Sequence, residues 1–149
     1  MKQTNNTNGI TIGWREWLAL PTLGIDNIKV KVDTGARTSA IHVDFIEPFD
    51  KNGQLCVRFG LINRVADASQ KRICEAPVLD KRMITSSSGE KECRYVISTT
   101  IILGGITKDI ELTLTNRSTM KFKMLLGRTA LSKDFNVAPG KSYVMGRFE

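Results

Sequence analysis

The sequence predicts an all-β protein, a barrel or sandwich with one late helical turn. Apolar and polar residues alternate with a period of two along much of the chain, which is typical of strands with one buried face. Turn-forming residues fall between these segments. No strand pattern is followed by a helix in units of about 30 residues, which argues against a doubly wound α/β fold.

The alternating segments predict the strands in chain order. In the first of them, Ile28, Val30 and Val32 alternate with two lysines. The same alternation recurs at residues 41–45, 55–59, 110–114 and 122–126. Residues 95–103 are rich in β-branched side chains and predict a long central strand.

Turns and the chain end complete the prediction. Asn52-Gly53, residues 86–90 and Gly104-Gly105 carry the residues that favour hairpin turns. Residues 128–135 place Ala, Leu and Phe where they can share one helical face. Residues 142–148 predict a final short strand.

The length of 149 residues fits one domain with a single core. We assign residues 11–149 to this domain and expect residues 1–10, which are polar and rich in Asn and Thr, to be a disordered lead-in. No apolar run approaches the roughly 18 residues that span a bilayer, and no apolar stretch of signal-peptide type precedes the domain. We therefore expect a cytoplasmic protein with no membrane partner.

The net charge of +7 permits an anionic partner. Lysines and arginines are spread along the chain among acids, without a basic block or a recognition motif. An RNA-binding barrel would need exposed aromatic residues interleaved with these cations. The chain has ten aromatic residues, several at apolar strand positions. We expect no nucleic-acid partner, whereas an acidic protein or peptide suits the charge.

The clearest motif is Asp33-Thr34-Gly35 at the end of the first predicted strand. Gly35 allows a tight turn and the close approach of another chain, and Thr34 could brace the loop by a local hydrogen bond. A carboxylate on a loop fixed by two strands suits acid–base chemistry. Such a triplet is also compatible with an ordinary turn at a strand end.

A second segment makes the motif more informative. Residues 123–126 are mostly apolar, and Gly127-Arg128 follows them at the start of the predicted helix. Together the two segments resemble the retroviral type of aspartic protease, in which an apolar strand, Asp-Thr/Ser-Gly-Ala, a flap hairpin, Gly-Arg, a short helix and a terminal strand follow in this order. The chain is also similar to a bacterial retropepsin-like family that is often labelled ATP-dependent zinc protease and is associated with ribosomal-protein glutamate ligases. The similar segments are residues 12–17, 32–40, 94–96, 111–117 and 124–131.

The resemblance implies a retropepsin-like closed barrel with one short C-terminal helix. It also implies an aspartic endopeptidase that acts as a homodimer, because the chain has one Asp-Thr-Gly and the mechanism needs two carboxylates. Asp33, Thr34 and Gly35 would be the catalytic residues, with Ala36 beside the substrate. Acidic or glutamate-extended peptides are the expected substrates. The alternative is a non-catalytic, peptide-binding dimer that acts with a glutamate-ligase system.

The family label does not fit the residues. A zinc protease needs a pattern such as His-Glu-x-x-His, but His42 is the only histidine and the three cysteines form no Cys-x-x-Cys pair. Gly140-Lys141-Ser142 lacks the first glycine of a phosphate loop, since Phe135 occupies that position. We therefore expect neither a metal nor another cofactor.

Two hairpins compete for the role of the flap. The Ser-rich segment 85–91, with Ser87, Ser88 and Gly89 at its tip, fits a flexible cover over a cleft. We favour the Ser-rich segment over the alternative, the hairpin at Asn52-Gly53, although the Ser-rich segment could also be a plain surface loop.

Arg37 departs from the viral pattern, where an acid follows Asp-Thr-Gly-Ala and can pair with the arginine of Gly-Arg. If Arg37 lies near Arg128, the two cations need a carboxylate. An acidic substrate could supply it, which would make both arginines substrate-binding residues. An internal acid such as Asp26, Asp44 or Glu47 could supply it equally well.

Overall fold

The computed structural model describes residues 9–65, 68–85, 88–116 and 122–147, and these form eleven strands and one short α-helix. The strands are β1 (Ile10–Leu20), β2 (Ile25–Val32), β3 (Ser39–His42), β4 (Ile46–Lys51), β5 (Gln54–Val65), β6 (Ala68–Pro77), β7 (Asp80–Thr85), β8 (Lys91–Leu103), β9 (Ile106–Thr115), β10 (Met124–Leu126) and β11 (Phe135–Ser142). The helix α1 spans Arg128–Leu131, and a 3-10 turn, Pro21–Leu23, joins β1 to β2. The predicted all-β class is confirmed.

Eight strands form one sheet in the order β11-β1-β2-β10-β3-β9-β8-β7. A further pairing of β1 with β8, at Ala19 and Ile102, closes six of them into a barrel. Most neighbours are antiparallel, but β11 runs parallel to β1, β10 runs parallel to β2, and β3 runs parallel to β9. Strands β4, β5 and β6 form a separate antiparallel sheet.

Alternation along the strands builds one apolar core. The inward positions of β1, β2, β8, β9 and β10 are buried, and Val57, Phe59 and Leu61 of the second sheet join the same cluster. The hairpin between β4 and β5 turns at Asn52 and Gly53, whose φ values of 53° and 85° are those of the two-residue turn that suits a twisted hairpin.

The prediction for the chain end is wrong in two places. The helix ends at Leu131 rather than at residue 135, because Ser132 has a positive φ of 45° and Phe135 already begins β11. The last strand, β11, ends at Ser142, so residues 143–147 do not form the final strand that was predicted at residues 142–148. Tyr143 has a φ of 53°, and the Glu16 carboxylate accepts hydrogen bonds from the next two backbone N–H groups, so this segment turns.

Candidate active site

Asp33 directly follows β2 and lies beside β10. The parallel register pairs Val30 with Met124 and Val32 with Leu126. The Asp33 N–H then donates to the Leu126 carbonyl at 2.9 Å. The end of β10 therefore fixes the point at which the Asp33 loop leaves the barrel.

The Asp33 carboxylate is half-buried and is held by its own loop. Oδ1 accepts a hydrogen bond from the Gly35 N–H at 3.0 Å, which leaves Oδ2 available. A Cβ at residue 35 would lie 3.2 Å from Oδ1, so the glycine leaves room for this contact. Thr34 and Gly35 are exposed at the apex of the loop.

The start of α1 holds the loop from the other side. The Arg128 N–H donates to the Ala36 carbonyl at 2.8 Å, and its guanidinium Nη1 donates to the carbonyls of Thr34 and Gly35 at 3.2 Å each. Thr129 donates to the Arg37 carbonyl through its N–H at 3.1 Å and through Oγ1 at 2.9 Å. Each carbonyl from residue 34 to residue 37 thus accepts a donor from Arg128 or Thr129.

Gly127 makes this close approach possible. A Cβ there would lie 2.7 Å from the Thr38 carbonyl carbon, which is closer than real Cβ contacts allow, and 3.0 Å from the Ala36 oxygen. The Gly127 N–H donates to Oγ of the fully buried Ser39 at 3.0 Å. Gly127 and Ser39 therefore bring the two predicted motifs together.

The two arginines differ in their surroundings. Arg128 bonds to loop carbonyls, so its charge is partly compensated without a carboxylate. Arg37 is exposed and makes no ion pair with any residue that the structure describes. Its charge acts on Glu111, which lies on β9. The hydrogen bond from Arg82 holds the pKa of Glu111 below its usual range, and the charge of Arg37 adds a smaller lowering.

The Ser-rich hairpin belongs to the same sheet as the Asp33 loop. Strands β7 and β8 pair from Asp80–Val96 to Thr85–Lys91, and exposed Ser88 and Gly89 lie in the turn between them. Ser87 lies outside the described residues.

Arg82 fixes the base of this hairpin through two carboxylates. It donates to Asp80 at 2.8 Å and to Glu111 at 2.7 Å, and these contacts lower the pKa of Asp80 and raise that of Arg82. The alternative hairpin, between β4 and β5, lies in the separate sheet. Arg82 and Glu111 thus connect the Ser-rich hairpin to the neighbourhood of Arg37.

Comparison with known proteins identifies the architecture. The family model described as retropepsin-like aspartic endopeptidase RimB matches residues 11–147. The chain belongs to this family. The resemblance inferred from the motifs is confirmed, and so is the retropepsin-like fold.

The curated relatives that the chain matches are longer proteins, named as glutamate ligases. A "Probable alpha-L-glutamate ligase" of Shewanella pealeana is 48% identical over 141 residues, which are 93% of this chain and 30% of that protein. A protein of the same name from Desulfotalea psychrophila is 43% identical over 135 residues, 91% of this chain and 29% of its own length. The chain therefore spans less than a third of the curated relatives that it matches.

A solved structure shares the fold. The crystal structure of Lpg0085 from Legionella pneumophila, described as a protein of unknown function, superposes with a TM-score of 0.73 at 26% sequence identity. The match covers 93% of this chain and 99% of that one.

The described residues include three free cysteines and no candidate metal cluster. No group of three or more His, Cys, Asp or Glu side chains there could hold a metal ion, and no helix there is long and apolar enough to cross a membrane. Cys56 and Cys74 are buried and Cys93 is exposed, all as free thiols. Burial raises the pKa of the Cys74 thiol, against a smaller opposing effect of Arg72.

The sequence did not reveal two residues that build the site. Ser39 and Thr129 are ordinary polar residues in the sequence, yet they bond to Gly127 and to the Arg37 carbonyl. A serine at the first position of an otherwise apolar strand was the available signal, because a buried hydroxyl needs a hydrogen-bond partner.

Proposed function

We propose that the chain is one half of an aspartic endopeptidase whose catalytic carboxylates are Asp33 and the same residue of a second copy. The observation that carries the proposal is the Asp33 carboxylate itself. It sits half-exposed on a loop whose four carbonyls, from residue 34 to residue 37, are held by Arg128 and Thr129. Rigid positioning of this kind is what a reacting carboxylate requires.

The chemistry follows from two carboxylates that share one proton. Like charges at close range cannot both ionise, so one carboxyl stays protonated. The ionised member takes a proton from water, which attacks the scissile carbonyl, and the protonated member donates a hydrogen bond to the carbonyl oxygen. Collapse of the tetrahedral intermediate passes a proton to the leaving amine and breaks the C–N bond.

A twofold dimer supplies the second carboxylate. The chain has a single Asp-Thr-Gly, and exposed Thr34 and Gly35 form the apex of its loop. Placing two such loops across a twofold axis brings identical surfaces together. Thr34 would then brace the aspartate pair, since its hydroxyl makes no hydrogen bond within the described part of one chain. The hairpin of β7 and β8 would cover the cleft.

Acidic peptides are the substrate class that the charges favour. The chain carries a net charge of +7, and exposed Arg37 lies next to the Asp33 loop. The longer relatives are named as glutamate ligases, and proteins of that name would make glutamate-extended chains. We propose that this chain cleaves such extensions or the segments that carry them, with Arg37 selecting the acidic side chains.

The test is a cleavage assay. Wild type, Asp33→Asn and the surface control Asp50→Asn are incubated with glutamate-extended and neutral peptides from pH 4 to 8, and products are followed by mass spectrometry. We expect cleavage by wild type and by the control, and none by Asp33→Asn. Cleavage by Asp33→Asn would contradict the assignment. No cleavage by any variant, with a dimer seen by light scattering, would instead support a peptide-binding dimer that acts with a ligase.

A further inference from the structure

We propose that the outer face of β1 and β2 carries a second site, which docks a carboxylate-rich peptide apart from Asp33. The surface, here called the aromatic–basic patch, comprises Trp14, Arg15, Trp17, Lys29, Tyr143 and Arg147. The inference rests on the proposed function for its ligand, an acidic peptide, but it does not require Asp33 to react.

Strand pairing creates the patch. The antiparallel register sets Trp17 opposite Lys29 and Arg15 opposite Lys31. Inward neighbours such as Leu18 are fully buried, so the alternation turns these four side chains outward. The face thus presents cations beside partly exposed indole rings.

The chain end completes the patch. The Glu16 carboxylate is fully buried and accepts hydrogen bonds from the N–H groups of Gly13, Val144 and Met145 at 2.7, 2.8 and 3.1 Å. This contact draws the segment over β1 and places the Tyr143 ring centroid 5.9 Å from that of Trp17. A buried carboxylate with three backbone donors is a strong anchor. The patch is therefore built into the fold.

Four contacts gather cations on these rings without a neutralising acid. The Arg15 guanidinium lies 4.7 Å from the Trp14 ring centroid and 5.0 Å from that of Tyr143. Lys29 Nζ and the Arg147 guanidinium lie 5.4 and 4.8 Å from the Trp17 centroid. Among the described residues none of these three cations pairs with a carboxylate. Like charges collected on one surface repel, and an anion relieves the repulsion.

The geometry favours a carboxylate chain over a nucleic acid. Single-stranded nucleic acids bind by stacking bases on open aromatic faces. Here each ring already has a cation of the protein over it, whereas the exposed ends of Lys29 and Arg147 still offer N–H donors. Carboxylates are the natural acceptors for such donors.

The patch also lies along the strand that leads to Asp33. Lys29 and Lys31 are exposed on β2, and Asp33 follows that strand. At about 3.3 Å per residue, Lys29 lies roughly 13 Å from Asp33 along the strand. An acidic peptide held at the patch would thus have a neighbouring segment close to the reacting carboxylate.

The experiment measures binding in the absence of cleavage. A fluorescent peptide of ten glutamates is titrated into the full-length Asp33→Asn chain by anisotropy. The patch variant adds Lys29→Ala and Arg147→Ala, and the matched control adds Lys51→Ala and Lys71→Ala, which remove the same charge from the exposed surface of the second sheet. Loss of two exposed ion pairs predicts that the patch variant raises Kd about three- to tenfold, against less than about twofold for the control.

Equal weakening in both variants would overturn the proposal, because net charge alone would explain it. A ten-nucleotide uridine RNA that binds more tightly than the peptide, and loses affinity only in the patch variant, would also overturn it in favour of nucleic acid. Matching thermal unfolding of the two variants confirms that the comparison is between folded proteins. Because Asp33→Asn cannot cleave by the proposed mechanism, inactive wild type would leave this result intact. A patch variant that binds the peptide as tightly as the control would contradict the docking site, but it would not contradict the proposed cleavage, which is tested separately.

Discussion

Gly127→Ala tests how the Asp33 loop is held. The new Cβ would lie 2.7 Å from the Thr38 carbonyl carbon and 2.9 Å from its oxygen, both of which are backbone atoms. Overpacking of this kind costs about 1–3 kcal/mol. The reduced entropy of the unfolded chain offsets about 0.4–1 kcal/mol of that cost. The expected net loss is about 1–2 kcal/mol, or roughly 2–8 °C in Tm for a chain of this size.

Gly140→Ala is the matched control, because nothing lies within 4 Å of a Cβ at that position and its φ is not in the left-handed range. Urea unfolding and thermal melts of both variants give the comparison. We expect Gly140→Ala to equal or slightly exceed wild type in stability. We also expect Gly127→Ala to lose peptidase activity out of proportion, since a displacement of about 1 Å at a reacting group can cost about a hundredfold. Equal stability and activity in the two variants would refute the proposal that Gly127 lets Arg128 and Thr129 hold the Asp33 loop.

Three further predictions concern other groups. Glu16→Ala should destabilise the fold by about 1–3 kcal/mol in urea unfolding, because its three backbone donors lose their acceptor; a smaller loss would mean that water replaces the carboxylate. Arg82→Ala should raise the pKa of Glu111 in an NMR titration. Because that pKa is lowered in the folded wild type, the stability from this exposed pair, under about 1 kcal/mol, should be present above the ordinary carboxyl pKa and vanish at lower pH; an unchanged pKa would contradict the assigned contact. Exposed Cys93 should react with iodoacetamide at neutral pH well before Cys74, whose pKa is raised by burial, and the reverse order by mass spectrometry would contradict the fold there.

Local periodicity predicts several of the barrel strands but not all of them: it indicates no strand at β1, and of the strand predicted at residues 41–45 only Ile41 and His42 belong to one, β3. The alternation at residues 28–32 and 110–114 corresponds to β2 and β9, and the β-branched run at 95–103 lies within β8. These segments bury one face against a shared core, so composition and period both follow from the same packing. The two-residue turn at Asn52-Gly53 was equally local.

Long-range contacts could not be predicted in the same way. The strand predicted at residues 142–148 does not form at residues 143–147. The carboxylate of Glu16, which is distant in the chain, accepts hydrogen bonds from the N–H groups of Val144 and Met145 instead. The partners of Arg128 proved to be loop carbonyls, although the charge pattern suggested a carboxylate. The sequence does not indicate the role of Ser39, because only the folded chain brings its hydroxyl to the Gly127 N–H, from which it accepts a hydrogen bond.

The motif itself indicated the site, but not how it is held. Asp33-Thr34-Gly35 and Gly127-Arg128 were recognisable as a pair only through the resemblance to a family. The structure explains the pairing, because parallel β2 and β10 end side by side and the Asp33 N–H bonds to Leu126. Because the two motifs lie far apart in the sequence, the sequence alone does not show that they are adjacent in the fold.

The most direct test of the central claim is a subunit-mixing experiment. Wild type and Asp33→Asn are unfolded together, refolded at equal concentrations, and assayed on a glutamate-extended peptide at constant total protein. If each site needs Asp33 from two chains, only dimers of two wild-type copies cleave, and activity falls to about a quarter of that of pure wild type. Activity of about a half would mean that one chain carries a complete site, and the account of a shared aspartate pair would be contradicted.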